Sequence, residues 1–283
     1  MSIVITGATG QLGRLVIADL LAAGVPADGI TAVARSAEKA ADLGVKVAVA
    51  DYDDPASFAN VFSAGDRVLL ISGSEPGRRI PQHTAVIDAA KAAGVAQLAY
   101  TGIFGGPDNP MLLGAEHHVT EQLIRDSGVP YTFLRNNWYS EMAVRDVAEA
   151  VESGVIVNSA GPEARLATAT REDYAAAAAA VLTTDGHLNQ TYELGGDTAW
   201  SFAEFAEELT RQTGKPVVHQ SIPNEDVLAG LQSAGIPADF AKVLADIDIQ
   251  TTAGALAATP GTLTKLIGRP TTPIATTITK LLS

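Results

Sequence analysis

Residues 3–13 read Ile3-Val4-Ile5-Thr6-Gly7-Ala8-Thr9-Gly10-Gln11-Leu12-Gly13, and they run directly into Arg14-Leu15-Val16-Ile17-Ala18-Asp19-Leu20-Leu21-Ala22-Ala23. The first part is a short β-branched strand, the last an amphipathic helix, and the glycines stand between them. Gly7 makes the sharp turn off the strand, Gly10 lets a pyrophosphate approach the backbone, and Gly13 lets the helix pack against the strand. The pyrophosphate then meets free N–H groups and the positive end of the dipole at the helix N-terminus. A glycine pattern alone is weak evidence. Strand before it and helix after it make it a dinucleotide fingerprint.

Outward from this unit the same rhythm repeats. Apolar, β-branched runs at Gly29–Ala34, Lys46–Ala50, Arg67–Ser72, Gln97–Thr101 and Tyr131–Arg135 read as strands. Helical patterns lie between them at Leu12–Ala23, Ala37–Leu43, Pro55–Phe62, Gln82–Ala93 and Glu116–Ser127, several closed by Gly24, Gly44, Gly94 or Gly128. Strand-helix alternation predicts an α/β fold, a doubly wound parallel sheet of Rossmann type. After Glu141 the pattern loosens into a long helix over Glu141–Ser153 and a strand at Gly154–Asn158. A helix follows Thr170-Arg171-Glu172-Asp173, with Ala175–Ala180 small enough to pack closely on a neighbour. Further elements are a strand at Gln190–Leu194, a helix at Ser201–Thr213, a strand at Pro216–Ser221, helices over Asn224–Ala234 and Ala238–Asp246, and a loop-like Thr251–Pro273 around a short helix. We expect residues 1–153 to form an NADP-binding domain. Residues 154–283 then form a smaller C-terminal lobe that contributes to the substrate cleft, with some segments returning to the core.

The 283-residue chain holds 19 Lys and Arg against 32 Asp and Glu, a formal charge of −13. Such a field repels polyanions, which argues against nucleic acid as a partner. The chain has no cysteine, so disulfides and thiolate chemistry are excluded and redox work falls to a bound cofactor. Its five histidines show no metal-ligand spacing apart from the adjacent His117-His118, which on a helix point in different directions, and no metal site is expected. No stretch is long and apolar enough for a membrane span, and the chain reads as cytoplasmic. The sequence leaves a homo-oligomer open.

At the end of the second strand an NAD site carries an acid for the ribose 2′-OH, whereas this chain has Ala34-Arg35-Ser36. Arg35 can pair with a 2′-phosphate through its forked donors, which favours NADPH (NADP). Asp51, after the third strand, is placed to accept from the adenine amino group, while Asp53 and Asp54 cap a helix at Pro55. The small residues Ser72, Gly73 and Ser74 let the nicotinamide ribose pass. Arg78, Arg79 and His83 read as a solvated loop and helix start.

The chain resembles the NmrA-like atypical short-chain dehydrogenases/reductases, and within them the bacterial NAD(P)H:quinone oxidoreductases of type 2. The likeness stands on ITGATGQLG (5–13), ADYDDPAS (50–57), LLISGSEPGRRIPQH (69–83), IDAAKAAGV (87–95), SGVPYTFLRNNWYSE (127–141), ATATREDYAAAAA (167–179), YELGGDTAWSFAEFAEELT (192–210) and TKLIGRPTT (264–272). It implies a Rossmann-like NADP domain and hydride transfer from NADPH to a small-molecule quinone. It also implies cofactor contacts from Gly7, Ala8, Thr9, Gly10, Gln11 and Leu12, from Arg35, from the loop around Ser72, and from Asn137, Trp138, Tyr139, Ser140, Glu141 and Met142.

One departure has chemical content. Counting back from Glu121, the tyrosine and lysine that deliver a proton in typical short-chain dehydrogenases are replaced by Leu113 and His117. Reducing a ketone makes a strongly basic alkoxide that needs a positioned acid. Hydride addition to a quinone leaves a phenolate-type anion, a weak base that hydrogen bonds can stabilise. Thr101, His117 and Tyr139 are the candidate donors, and Trp138 with Tyr139 can wall a flat ring. The same loss suits a non-catalytic NADP-binding redox sensor of the NmrA type, which is the alternative reading.

Overall fold

The computed structural model describes residues 2–283. Seven strands form one all-parallel sheet: β1 Ile3–Ile5, β2 Ile30–Ala34, β3 Lys46–Val49, β4 Arg67–Leu70, β5 Gln97–Ile103, β6 Tyr131–Asn136 and, after an excursion considered below, Gln190–Leu194. The order across the sheet is β3-β2-β1-β4-β5-β6 followed by that last strand. The reversal of order falls between β1 and β4, where a doubly wound sheet opens its ligand crevice at the strands' C-terminal ends.

Period-two alternation decides the two faces. Ile3, Ile5, Leu69, Ala99 and Leu134 pack into one core with α1 (Gln11–Ala22), whereas Val4, Val68, Leu70, Tyr100 and Phe133 pack into another on the opposite side. On that second face lie α3 (Arg79–Ala93) and α4 (Ala115–Ser127), after the short α2 (Ala37–Ala40) beside β2. The expected helix over Pro55–Phe62 is a single 3-10 turn, Pro55–Phe58, continued by i→i+3 bonds such as Val61 N–H to the Phe58 carbonyl (3.1 Å). Asp54 at its start makes no side-chain cap, and Asp53 instead accepts from Gln82 Nε2 (3.0 Å) and pairs with Arg78 (2.8 Å).

Beyond β6 the expected long helix is two pieces, α5 (Ser140–Ala143) and α6 (Val147–Ser153). The break at Val144 lets Val144 and Val147, 1% and 2% exposed, bury together in a third core with Trp200 and Phe205. Next come β7 (Val155–Asn158), α7 (Arg171–Thr183) and the returning strand, β8 (Gln190–Leu194), which pairs with β6. The helix α7 opens with a reciprocal Thr170–Asp173 capping box, and its alanines lie against α1 in the first core. The remaining elements are α8 (Phe202–Thr213), β9 (Val218–Ser221, paired with β7), α9 (Asn224–Ser233), α10 (Ala238–Thr252), α11 (Thr262–Ile267) and α12 (Ile274–Leu282). α10 runs past its expected end at Asp246, and α12 lies beyond the last element read from the sequence; its Thr277 and Ile278 are buried. No helix among the described residues is long and apolar enough to cross a membrane, and none of their acidic and histidine side chains cluster as a metal site.

Candidate active site

The glycine turn is built by geometry that only glycine allows. Gly7 sits at φ 59°, and a β-carbon on Gly13 would stand 2.5 Å from the Gly7 carbonyl oxygen and 2.7 Å from Ala8 Cα. Behind the turn the buried Tyr52 hydroxyl reaches Thr6 Oγ1 (2.6 Å) and the Ile71 carbonyl (2.9 Å), tying the ends of β1 and β4 together. Arg14 donates to the Thr9 and Lys39 carbonyls and pairs with Asp42 (2.6 Å), fixing the loop's outer side. No side chain caps α1, and its first turn carries no acid. Its leading N–H groups are thus free for an anion.

From this turn one cavity of about 900 Å³ runs along the C-terminal edge of the sheet. Gly7, Gly10, Gln11, Leu12 and Gly13 line its near end; Ser72, Gly73, His117 and Asn136 its middle; Asn137, Trp138, Tyr139 and Met142 its far side. The same space is also walled by the apolar side chains of Phe202, Phe205, Leu231, Phe240, Leu244 and Ile247. Other candidate residues stand off this lining. Ala8 is buried under the turn, Thr9 flanks it, and Arg35 is exposed immediately after β2. Asp51 turns its carboxylate onto the Asp53 N–H (3.1 Å). Ser140 is buried with Oγ on Thr168 Oγ1 (2.9 Å), and Glu141 accepts the Arg171 N–H (3.0 Å).

The three candidate donors separate. Thr101 is 3% exposed, and its Oγ1 accepts the Ser72 N–H (2.9 Å), so it braces the wall from behind. Tyr139 meets the cavity with its ring held between Tyr174 and the Arg171 guanidinium, 4.8 Å from the ring centre. His117 meets it from α4. Burial pushes the Tyr139 phenol above its ordinary range, which makes it a donor and not an anion. The lining, taken over the described residues, holds one tyrosine, Tyr139, and no lysine; Leu113 lies in it too.

Arg79 and His83 are not solvated. Both are buried: Arg79 Nε donates to the Gly73 carbonyl (2.7 Å), and His83 Nε2 accepts the Gly73 N–H (2.9 Å). The Ser72–Gly73 corner is thereby clamped from α3. Desolvation, and then the Arg79 cation, push His83 down to about 3, so it is neutral. A first helical turn that points inward leaves no mark in composition, and the reading of a polar run as solvent-facing fails here for that reason. Asn136 was likewise unmarked; its Oδ1 is buried at the cavity wall with no partner among the described residues. A free acceptor there and a turn with no room for a β-carbon both fit a bound dinucleotide.

Residues 1–254 match the NmrA-like family. The chain is 46% identical over 282 residues to quinone oxidoreductase 2 of Escherichia coli K12, covering 99% of this chain and 98% of that one. It superposes on the crystal structure of the Escherichia coli NADPH-dependent quinone oxidoreductase complexed with NADPH with a TM-score of 0.95, covering 99% of this chain and 100% of that one. The Citrobacter sp. triphenylmethane reductase complexed with NADP(H) superposes with a TM-score of 0.93 at 41% identity, covering 99% and 100% of the two chains.

Proposed function

The chain belongs to the NmrA-like family, and from that premise we propose that it is an NADPH-dependent oxidoreductase that passes a hydride to quinones or similarly flat electron acceptors. The observation that carries this reading is the continuity of one cavity: the glycine turn and the aromatic side chains of Trp138, Phe202 and Phe205 line the same space of about 900 Å³. Cofactor and acceptor can lie face to face in it, and holding two reactants so converts an encounter into an oriented, effectively unimolecular step. The quinone oxidoreductase and triphenylmethane reductase relatives, both known with the nicotinamide cofactor, support the same class of chemistry.

When bound, NADPH supplies the hydride from its dihydronicotinamide ring. The chain's part is to hold and orient. The N–H groups of Gln11, Leu12 and Gly13, with Gly7, Ala8, Thr9 and Gly10 shaping the turn, receive the pyrophosphate; Arg35 takes the 2′-phosphate and Asp51 lies on the adenine side. Ser72 and Gly73, clamped by Thr101, Arg79 and His83, border the nicotinamide ribose. Asn137 ties this edge to the C-terminal part through Nδ2 to the Leu256 carbonyl (3.1 Å), and Trp138, Tyr139 and Met142 face the acceptor. In this division residues 1–153 carry the cofactor. Residues 154–283 contribute the rest of the acceptor cleft, with α7 and β8 returning to the sheet. No tyrosine-lysine relay is needed, because the product anion of a quinone is a weak base. The acidic, cysteine-free chain, using a diffusible nicotinamide, works in this reading in the cytoplasm.

Mixed with NADPH and a small benzoquinone, the purified protein is expected to oxidise NADPH far above the uncatalysed rate. Background-rate oxidation by protein that binds NADPH marks a nucleotide sensor instead.

A further inference from the structure

Behind the cavity wall, β5 and α4 hold a pair of side chains that act as a unit. Tyr100 is fully buried, and its hydroxyl lies 2.7 Å from Nδ1 of His117 in the first turn of α4. The hydroxyl's other polar neighbour is Thr120 Oγ1, which donates to the Glu116 carbonyl (2.8 Å) and accepts from His83 Nδ1 (2.9 Å), so one lone pair is left to it. His83 must carry its proton on Nδ1, because its Nε2 accepts the Gly73 N–H. Between Tyr100 and His117 the phenol is the stronger donor and the imidazole nitrogen the stronger acceptor, so the favoured arrangement donates from the phenol to His117 Nδ1 and leaves the ring proton on Nε2. His117 lines the cavity, and its Nε2 makes no hydrogen bond to the protein among the described residues.

The groups that bear on this pair keep the imidazole uncharged. Burial is the largest influence on His117, followed by Arg79 and His83 from α3 and His118 beside it, and together they push it down to about 3. Burial holds the Tyr100 phenol far above its ordinary range, and a hydrogen bond with Thr120 and then Arg79, Glu121 and Glu116 bear on it. At neutral pH the pair is thus one neutral donor chain.

Resting on the quinone-reductase reading, we propose that His117, with its tautomer set by Tyr100, is the neutral hydrogen-bond donor to the oxygen on which charge develops as the acceptor is reduced. Tyr100 is a positioning residue that acts through it. A C–H bond of the dihydronicotinamide breaks and its hydrogen bonds to the quinone with both electrons, so nicotinamide is oxidised and the quinone reduced by two electrons. The electron pair comes to rest on one acceptor oxygen, and the Nε2–H bond to that oxygen strengthens without breaking. The hydroquinone anion then takes its proton from water. A neutral imidazole suits this task because it donates strongly to an oxyanion while remaining a poor acid.

The test reads the ring directly and does not depend on turnover. In ¹⁵N NMR of the NADPH-bound protein, His117 is expected to show a protonated Nε2 and a bare Nδ1 from pH 8 to 5, and Tyr100→Phe is expected to mix the two tautomers. With a fixed quinone, His117→Leu should lower kcat roughly a hundredfold, the low end of the ~10²–10³ of an oxyanion donor, and Tyr100→Phe about tenfold, with the KM for NADPH unchanged. His117→Gln, which keeps an N–H, should recover part of the loss. A protonated Nδ1, a charged ring, or a His117→Leu enzyme at full kcat overturns the inference and leaves the quinone reading standing. Absence of turnover in the unmodified protein overturns the quinone reading itself.

Discussion

Arg135 on β6 grips Glu121 on α4 with two hydrogen bonds, Nε to Oε1 at 2.8 Å and Nη2 to Oε2 at 2.7 Å, while its Nη1 reaches Glu193 on β8 at 2.7 Å. The Glu121 side chain is 1% exposed and that of Arg135 11%, so the pair is a buried one that joins a helix to two strands behind the cavity floor. Removing Glu121 takes two of the guanidinium's hydrogen bonds and leaves Arg135 paired with Glu193 alone. Glu121→Ala should therefore lower unfolding free energy by about 1–3 kcal/mol in urea titration, and an unchanged stability would contradict the account.

The glycine turn gives a second expectation. Because a β-carbon at Gly13 would press on the Gly7 carbonyl and Ala8 Cα, both backbone, neither neighbour can swing aside. Gly13→Ala should weaken NADPH binding at least tenfold, measured by fluorescence titration, and an unchanged affinity would show that the turn is not the pyrophosphate cradle.

Arg35 should discriminate between cofactors. It is exposed directly after β2, where an NAD site has an acid. A charge-assisted pair with a 2′-phosphate contributes on the order of 1.5–3 kcal/mol, so Arg35→Ala should raise the Kd for NADPH roughly tenfold to a hundredfold and leave NADH nearly unaffected. Equal losses for both would remove Arg35 from the phosphate site.

Stability should fall with acid through two buried histidines. His83 and His117 are held at about 3 in the folded chain against 6.5 for an ordinary histidine, mainly by desolvation and then by Arg79. The unfolded chain thus binds more protons between those values. Stability is fully present above pH 6.5 and is lost as the pH drops toward 3, with each histidine contributing a slope approaching about 1.4 kcal/mol per pH unit. Unfolding free energies measured from pH 7 to 4 should show this decline, and His83→Asn should flatten it; an unchanged slope in the variant would contradict the assignment.

The sheet was legible because its information is local. Because helices cover both faces of the sheet, Ile3–Ile5 and Val68–Leu70 are buried throughout and stand out as continuous apolar runs, and the capping box at Thr170 and Asp173 marks where α7 begins. The glycine turn is local too, and so was read at once. What supports the site is not local. Tyr52 reaches Thr6 across 46 residues, and His83 meets Thr120 across 37, so neither contact leaves a pattern within one segment. Arg79 looked solvent-facing because charge normally is, and only its burial against the Gly73 carbonyl shows otherwise. The strand end places Thr101 at the cavity by sequence, whereas its side chain lies outside the lining and accepts the Ser72 N–H.

Direct hydride transfer inside one cavity is the centre of this account, and it is tested by premixing the protein with NADPH, or with NADPH deuterated at C4, and following nicotinamide absorbance in a single turnover with benzoquinone. The account predicts rapid oxidation, a primary isotope effect for the label on one face only, and no flavin absorbance in the purified protein. Oxidation no faster than in the absence of protein, or a stoichiometric flavin that accepts the hydride first, would contradict it.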